Sequence, residues 1–138
     1  MSIKKIGFIG TGVMGAAMAA RLCQADYQVS VYNRSAEKAE ETACRTGAQK
    51  ALSIEEAVRD ADAVVTIVGY PSDVEEVLAG EKGVFAFARK GTLIIDMTTS
   101  SPSLAASLYG KARAAGLDLL DAPVSGGDTG ARNGSLSI

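Results

Sequence analysis

A doubly wound, mostly parallel α/β sheet is the architecture this sequence predicts. Short, uncharged apolar runs alternate with longer amphipathic ones along the whole chain. The central runs, such as residues 63–68, are β-branched and carry no charge, as strands covered by helices on both faces must be. Right-handed crossovers wind such strands into one sheet whose ligands sit beyond the strands' carboxyl ends.

Residues 6–9 make a first strand, and a helix follows over 13–25 with Met14, Met18 and Leu22 on one face. Residues 29–32 make a second strand. Ser35 is placed as the N-cap of a helix with its body over 38–46, stopped by Gly47. Ser53 opens a short helix to Arg59, with Glu56 at the capping-box position. After the buried strand at 63–68, Pro71-Ser72-Asp73 opens a helix to about Leu78, and 84–88 add one helical turn. Residues 92–95 form a strand ending at Asp96. Ser101-Pro102 reads as an N-cap followed by proline at N1, starting a helix that runs to Ala115 and stops at Gly116. A last strand at 117–120 precedes a glycine-rich tail. Residues 134–138 read as the start of another strand, so the sheet is expected to be truncated near its last strands.

Composition narrows the function. With 138 residues, 47% hydrophobic and 22% charged, the chain reads as one globular domain. Fourteen basic against sixteen acidic residues offer no electrostatic reason for a nucleic-acid or anionic-membrane partner. No apolar stretch approaches the ~18 residues of a membrane span. Met1-Ser2-Ile3-Lys4-Lys5 leads straight into a strand, leaving no room for a targeting peptide, so a cytoplasmic location is expected. Cys23 and Cys44 lack metal-site or CxxC spacing and read as small buried thiols. No clustered metal ligands are visible. Histidine is absent, so no imidazole of this chain can carry a proton.

Gly10-Thr11-Gly12-Val13-Met14-Gly15 fits G-x-G-x-x-G between the first strand and its helix, the setting of a Rossmann-type dinucleotide-binding fold. Gly10 permits the turn, Gly12 lets a diphosphate approach the backbone, and Gly15 lets the helix pack closely. The helix N-terminus offers unpaired N–H groups and partial positive charge. At the end of the second strand, where an NAD site commonly carries an acid, stand Asn33, Arg34 and Ser35. Arg34 suits a 2′-phosphate and can stack on adenine, with hydrogen bonds from Asn33 and Ser35, so NADP is favoured over NAD as cofactor. The alternative is that Arg34 only covers the adenine of NAD. Val68-Gly69-Tyr70 and the hydroxyls of Thr98, Thr99 and Ser100 are placed at the two strand ends that would line the ribose and nicotinamide.

Residues 6–19, Ile-Gly-Phe-Ile-Gly-Thr-Gly-Val-Met-Gly-Ala-Ala-Met-Ala, resemble the opening signature of the 3-hydroxyisobutyrate dehydrogenase family, which includes tartronate semialdehyde and glyoxylate/succinic semialdehyde reductases. Asp121-Ala122-Pro123-Val124-Ser125-Gly126-Gly127, then Gly130-Ala131 and Gly134-Ser135-Leu136, are similar to its substrate signature. The resemblance implies a small carboxylate substrate held by Ser125, Gly126 and Gly127, and cofactor contacts from Val68 and Thr99. A hydroxyl and glycine amides do form a compact anion nest. It further implies a catalytic lysine, supported by an asparagine, in a helical domain beyond Ile138, and a homo-oligomeric parent protein. Residues 1–138 are then expected to form an incomplete dinucleotide-binding domain, inactive alone. Gly69-Tyr70-Pro71 departs from a usual Pro-Asn or Gly-Asn pair, and Ser135 from a usual threonine. An imine-reductase-like enzyme and a non-catalytic NADP-binding module remain the alternatives.

Overall fold

Strands that are apolar on both faces need cover on both faces, and this chain supplies it. The computed structural model describes residues 2–138. Their elements are β1 (Lys5–Ile9), α1 (Val13–Gln24), β2 (Gln28–Tyr32), α2 (Ala36–Thr46), β3 (Gln49–Lys50), α3 (Ile54–Val58) and β4 (Ala63–Thr66). Then follow α4 (Pro71–Ala79), α5 (Val84–Phe87), β5 (Leu93–Asp96), α6 (Pro102–Ala114), β6 (Asp118–Asp121) and α7 (Gly127–Asn133). The six strands form one sheet in the order β3-β2-β1-β4-β5-β6, with every neighbouring pair parallel. The chain winds outward from β1 to one edge, returns, and winds outward again from β4. That reversal leaves a crevice at the carboxyl ends of β1 and β4.

Side-chain alternation splits the core in two. Ile6, Phe8, Val29, Val31 and Val65 pack with Ala19, Met18 and Leu22 of α1 and Ala43 of α2. Ile9, Val64, Ile94 and Leu119 pack on the other face with Val58 of α3, Val74 and Leu78 of α4, Val84 of α5 and Leu108 of α6. The predicted caps hold where side chains complete them. Ser53 Oγ accepts the Glu56 N–H at 3.1 Å, and Ser101 Oγ accepts the Leu104 N–H at 3.2 Å. Ser35 occupies its N-cap position without a side-chain bond to the helix.

Five features differ from the sequence-based expectations. The fully buried residues of α1 are Gly15 and Ala19, while Met18 and Leu22 flank them, because this helix lies too close to the sheet for large side chains at the centre. Gln49 and Lys50 add an edge strand too short and polar to show periodicity. The glycine-rich tail contains α7, held by burial of Gly130 and Ala131 and by the Asp128–Arg132 pair rather than by intrinsic propensity. The strand predicted at 134–138 is reduced to a single antiparallel bridge between Ser125 and Ser137. Cys44 is exposed, because Ala39 and Thr42 form the buried stripe of α2; Cys23 is half-buried, and both thiols are free.

At the opposite end of the sheet, Asp62 Oδ2 accepts the Lys5 and Lys4 N–H groups at 2.9 Å each, while Oδ1 pairs with Arg89. The Lys5 amide, then the Lys4 amide, hold the carboxyl below its ordinary value of 3.8 against the desolvation of burial, and the nearby Arg89 charge adds a lesser pull in the same direction. A carboxyl depressed by folding stabilises the native state above its unfolded value, and that contribution fades as pH falls through the folded value. Asp62→Asn should therefore unfold at lower temperature than wild type at pH 7, with the gap closing below about pH 3.8. Thermal melts between pH 7 and pH 2.5 test this, and a gap that widened in acid would contradict it.

Candidate functional site

The β1–α1 turn sits in the crevice and is latched to β2. Gly10 N–H donates to Tyr32 O at 2.9 Å, and Thr11 N–H donates to Asn33 Oδ1 at 3.0 Å. The three glycines of the turn are required for different reasons. Gly10 has φ +104°, and a Cβ there would run into the carbonyl of Ile67. A Cβ on Gly15 would run into the carbonyl of Gly10, which is how α1 comes so close to the sheet. Gly12 has an ordinary extended backbone, φ −67° and ψ −169°, and a Cβ there would meet nothing within 4 Å. The protein's own packing demands Gly10 and Gly15 but gives no reason for Gly12.

That open space lies where α1 begins. The helix has no side-chain cap and no acid in its first turn, so its first N–H groups and positive end face the crevice unopposed. Thr11 Oγ1 is buried at the turn without a partner among the described residues. Bare amides, a gap that a Cβ would fill and an orphan hydroxyl fit a diphosphate lying across Gly10–Gly15. Val13 is exposed and Met14 half-buried at the mouth, so both can border such a ligand.

Beyond β2 the predicted donors separate. Asn33 is the latch: Oδ1 accepts from Thr11 and Nδ2 donates to Ser35 O at 3.3 Å, which fixes the amide and leaves its second N–H for a ligand. The Ser35 hydroxyl, unused by α2, stays available. Arg34 is largely exposed, with Nη2 3.1 Å from Asp73 Oδ1 in the first turn of α4.

The ends of β4 and β5 are tied by a buried network that the sequence did not reveal. Asp96 Oδ1 accepts from Thr66 Oγ1 at 2.9 Å and from the Thr98 N–H at 3.2 Å. Thr98 Oγ1 in turn accepts the Val68 N–H at 3.0 Å, which ends the strand at Thr66 rather than Val68. Thr98 is thus structural and holds Val68 in place. Thr99 is exposed and free to meet a ligand, and Ser100 Oγ is buried without a partner among the described residues. The one sequence signal for this network was a single acid closing an apolar strand.

Past β6, α7 docks on α1. Arg21 Nε donates to Arg132 O at 3.0 Å and Nη2 joins the same carbonyl, and Gly130 and Ala131 are buried beneath. Ser125 exchanges both backbone hydrogen bonds with Ser137 at 2.9 Å, fixing the start of the Ser125-Gly126-Gly127 turn. Gly126 (φ +132°) and Gly127 (φ +63°) are exposed, and neither amide has a protein acceptor among the described residues. The lysines lie elsewhere. Lys4 and Lys5 are at the amino end of β1, Lys38 is on α2, and Lys50 pairs with Glu40. Lys82 lies between α4 and α5, Lys90 packs on Gly116, and Lys111 reaches Glu75 from α6.

Residues 5–138 match the family described as the NAD binding domain of 6-phosphogluconate dehydrogenase. The chain belongs to that family. Among curated relatives, a protein of Arabidopsis thaliana named probable 3-hydroxyisobutyrate dehydrogenase-like 1, mitochondrial, is 50% identical over 97% of this chain and 40% of its own length. A Mycobacterium tuberculosis 3-hydroxyisobutyrate dehydrogenase, solved with L-serine, superposes with a TM-score of 0.90 at 36% identity, over 98% of this chain and 45% of that one. An imine reductase from Myxococcus stipitatus, solved with NADP+, superposes at 0.83 and 28% identity over 91% of this chain and 43% of that one. A variant of it was solved with NAD+. The chain spans less than half the length of the curated relatives it matches. The six-stranded parallel sheet and the resemblance to 3-hydroxyisobutyrate dehydrogenases both stand on these findings, and the domain is an NAD(P)-binding one.

Proposed function

We propose that this domain binds NADP in preference to NAD and, within a longer protein, serves hydride transfer to or from a small β-hydroxy carboxylate or its semialdehyde. The observation that carries the reading is the uncapped start of α1 beside Gly12, where protein packing leaves space and bare amides for a diphosphate. When bound, a nicotinamide supplies or accepts the hydride. The chain's own part is to bind and to orient. The turn from Gly10 to Gly15 holds the diphosphate, and Arg34 with Ser35 takes the adenosine ribose. Val68 and Thr99 border the nicotinamide half, and Ser125, Gly126 and Gly127 receive the substrate carboxylate.

The proton requires a group that residues 1–138 do not offer at this site. Histidine is absent, and the one lysine at a strand's carboxyl end, Lys50 of the edge strand β3, is paired with Glu40, which supports a lysine elsewhere in the longer protein as the acid/base. The imine reductase neighbours keep a second reaction in view. The Ser125-Gly126-Gly127 turn favours a carboxylate, and adding a small hydroxy acid to the cofactor-loaded domain tells the two apart.

The first test is calorimetric titration of the folded domain with NADPH and with NADH. Both should bind, NADPH more tightly. Arg34→Gln should weaken NADPH by about tenfold, the worth of one charge-assisted contact, and NADH much less. Failure of both cofactors to bind a folded sample would end the proposal.

A further inference from the structure

We infer that Asp73 is a specificity-determining residue of the cofactor site, holding Arg34 in an ion pair across the crevice and opposing a 2′-phosphate. The inference rests on the reading of Arg34 as the partner of that phosphate. β1 lies between β2 and β4, so Arg34, just past β2, and Asp73, just past β4, stand on opposite sides of the β1–α1 turn. They also belong to opposite layers, since α2 covers one face of the sheet and α4 the other. The 3.1 Å bond between them therefore spans the mouth where the adenosine half of a dinucleotide is received.

The two partners are not equally free. Asp73 Oδ2 accepts the Tyr70 N–H at 3.0 Å, bonding the carboxylate back to the residue that caps α4. Its side chain is 24% exposed against 82% for Arg34. The anion is fixed and the cation is drawn to it. An incoming 2′-phosphate must take Arg34 away from Asp73 or share it with a carboxylate close by. A ribose 2′-hydroxyl meets no such repulsion and can donate to the same oxygen. Asp73 thus narrows the advantage that Arg34 confers on NADPH. A solvent-exposed pair of this kind corresponds to roughly a two- to fivefold effect on affinity.

The test compares wild type, Asp73→Asn and Arg34→Gln by titration with NADPH and NADH. Asparagine removes the charge and keeps an acceptor for the Tyr70 N–H; Asp73→Ser removes the charge with a different side chain, should the first variant fold poorly. Either should tighten NADPH roughly two- to fivefold and leave NADH unchanged or weaker. Loss of a merely structural contact would move both cofactors together. An unchanged or reduced NADPH-to-NADH affinity ratio in folded Asp73 variants, with Arg34→Gln still costing NADPH affinity, overturns the role of Asp73 and spares the reading of Arg34. A ratio insensitive to Arg34→Gln removes that reading, and the inference with it.

Discussion

Gly12→Ala should leave the domain folded and remove most of its affinity for either cofactor. The backbone at Gly12 already has angles that alanine adopts freely, and its Cβ would touch no protein atom. The cost to the fold is at most about 1 kcal/mol, the difference between glycine and alanine at an N-cap. The methyl would instead stand in the open space before the first amides of α1, where the diphosphate has to lie. Separating the anion from even one such amide forfeits a charge-assisted hydrogen bond of about 1.5–3 kcal/mol, or roughly 10- to 100-fold in affinity. Thermal unfolding and calorimetric titration of the same sample give both halves of the prediction. Full affinity in Gly12→Ala would place the diphosphate elsewhere.

The contrast among the three glycines also marks how far the sequence could be read. G-x-G-x-x-G between a strand and a helix was legible because backbone chemistry, not side-chain packing, dictates it, and the parallel sheet was legible because its central strands carry no charge. What stayed hidden depends on partners distant in sequence. Asn33 and Thr98 looked like ligand donors, since a polar side chain at a strand end carries no sign of whether the protein itself will engage it. The backbone N–H groups that donate to them, Thr11's to Asn33 and Val68's to Thr98, lie 22 and 30 residues away. The same holds for α7, whose composition argues against a helix until Arg21 and the surface of α1 are there to dock it. The Arg34–Asp73 pair joins residues 39 apart and has no periodicity to announce it.

Gly10→Ala should do the reverse of Gly12→Ala and strike the fold itself. Two costs combine at this position. Alanine at φ +104° is strained by about 1–3 kcal/mol. Its Cβ would also collide with the Ile67 carbonyl, which cannot retreat easily, because the Ile67 N–H is bonded to Ile9 O at 3.0 Å and anchors β4 beside β1. Together these reach several kcal/mol, a large part of the 5–15 kcal/mol that holds an ordinary domain together. The melting temperature should fall by about ten degrees or more, with cofactor binding lost alongside. Gly47→Ala isolates the first cost, because Gly47 also has positive φ (+81°) but nothing within 4 Å of an added Cβ. Strain alone should make that variant only modestly less stable. If Gly10→Ala melted no lower than Gly47→Ala, the turn would not lie against β4, and the seat for the diphosphate would have to be built another way.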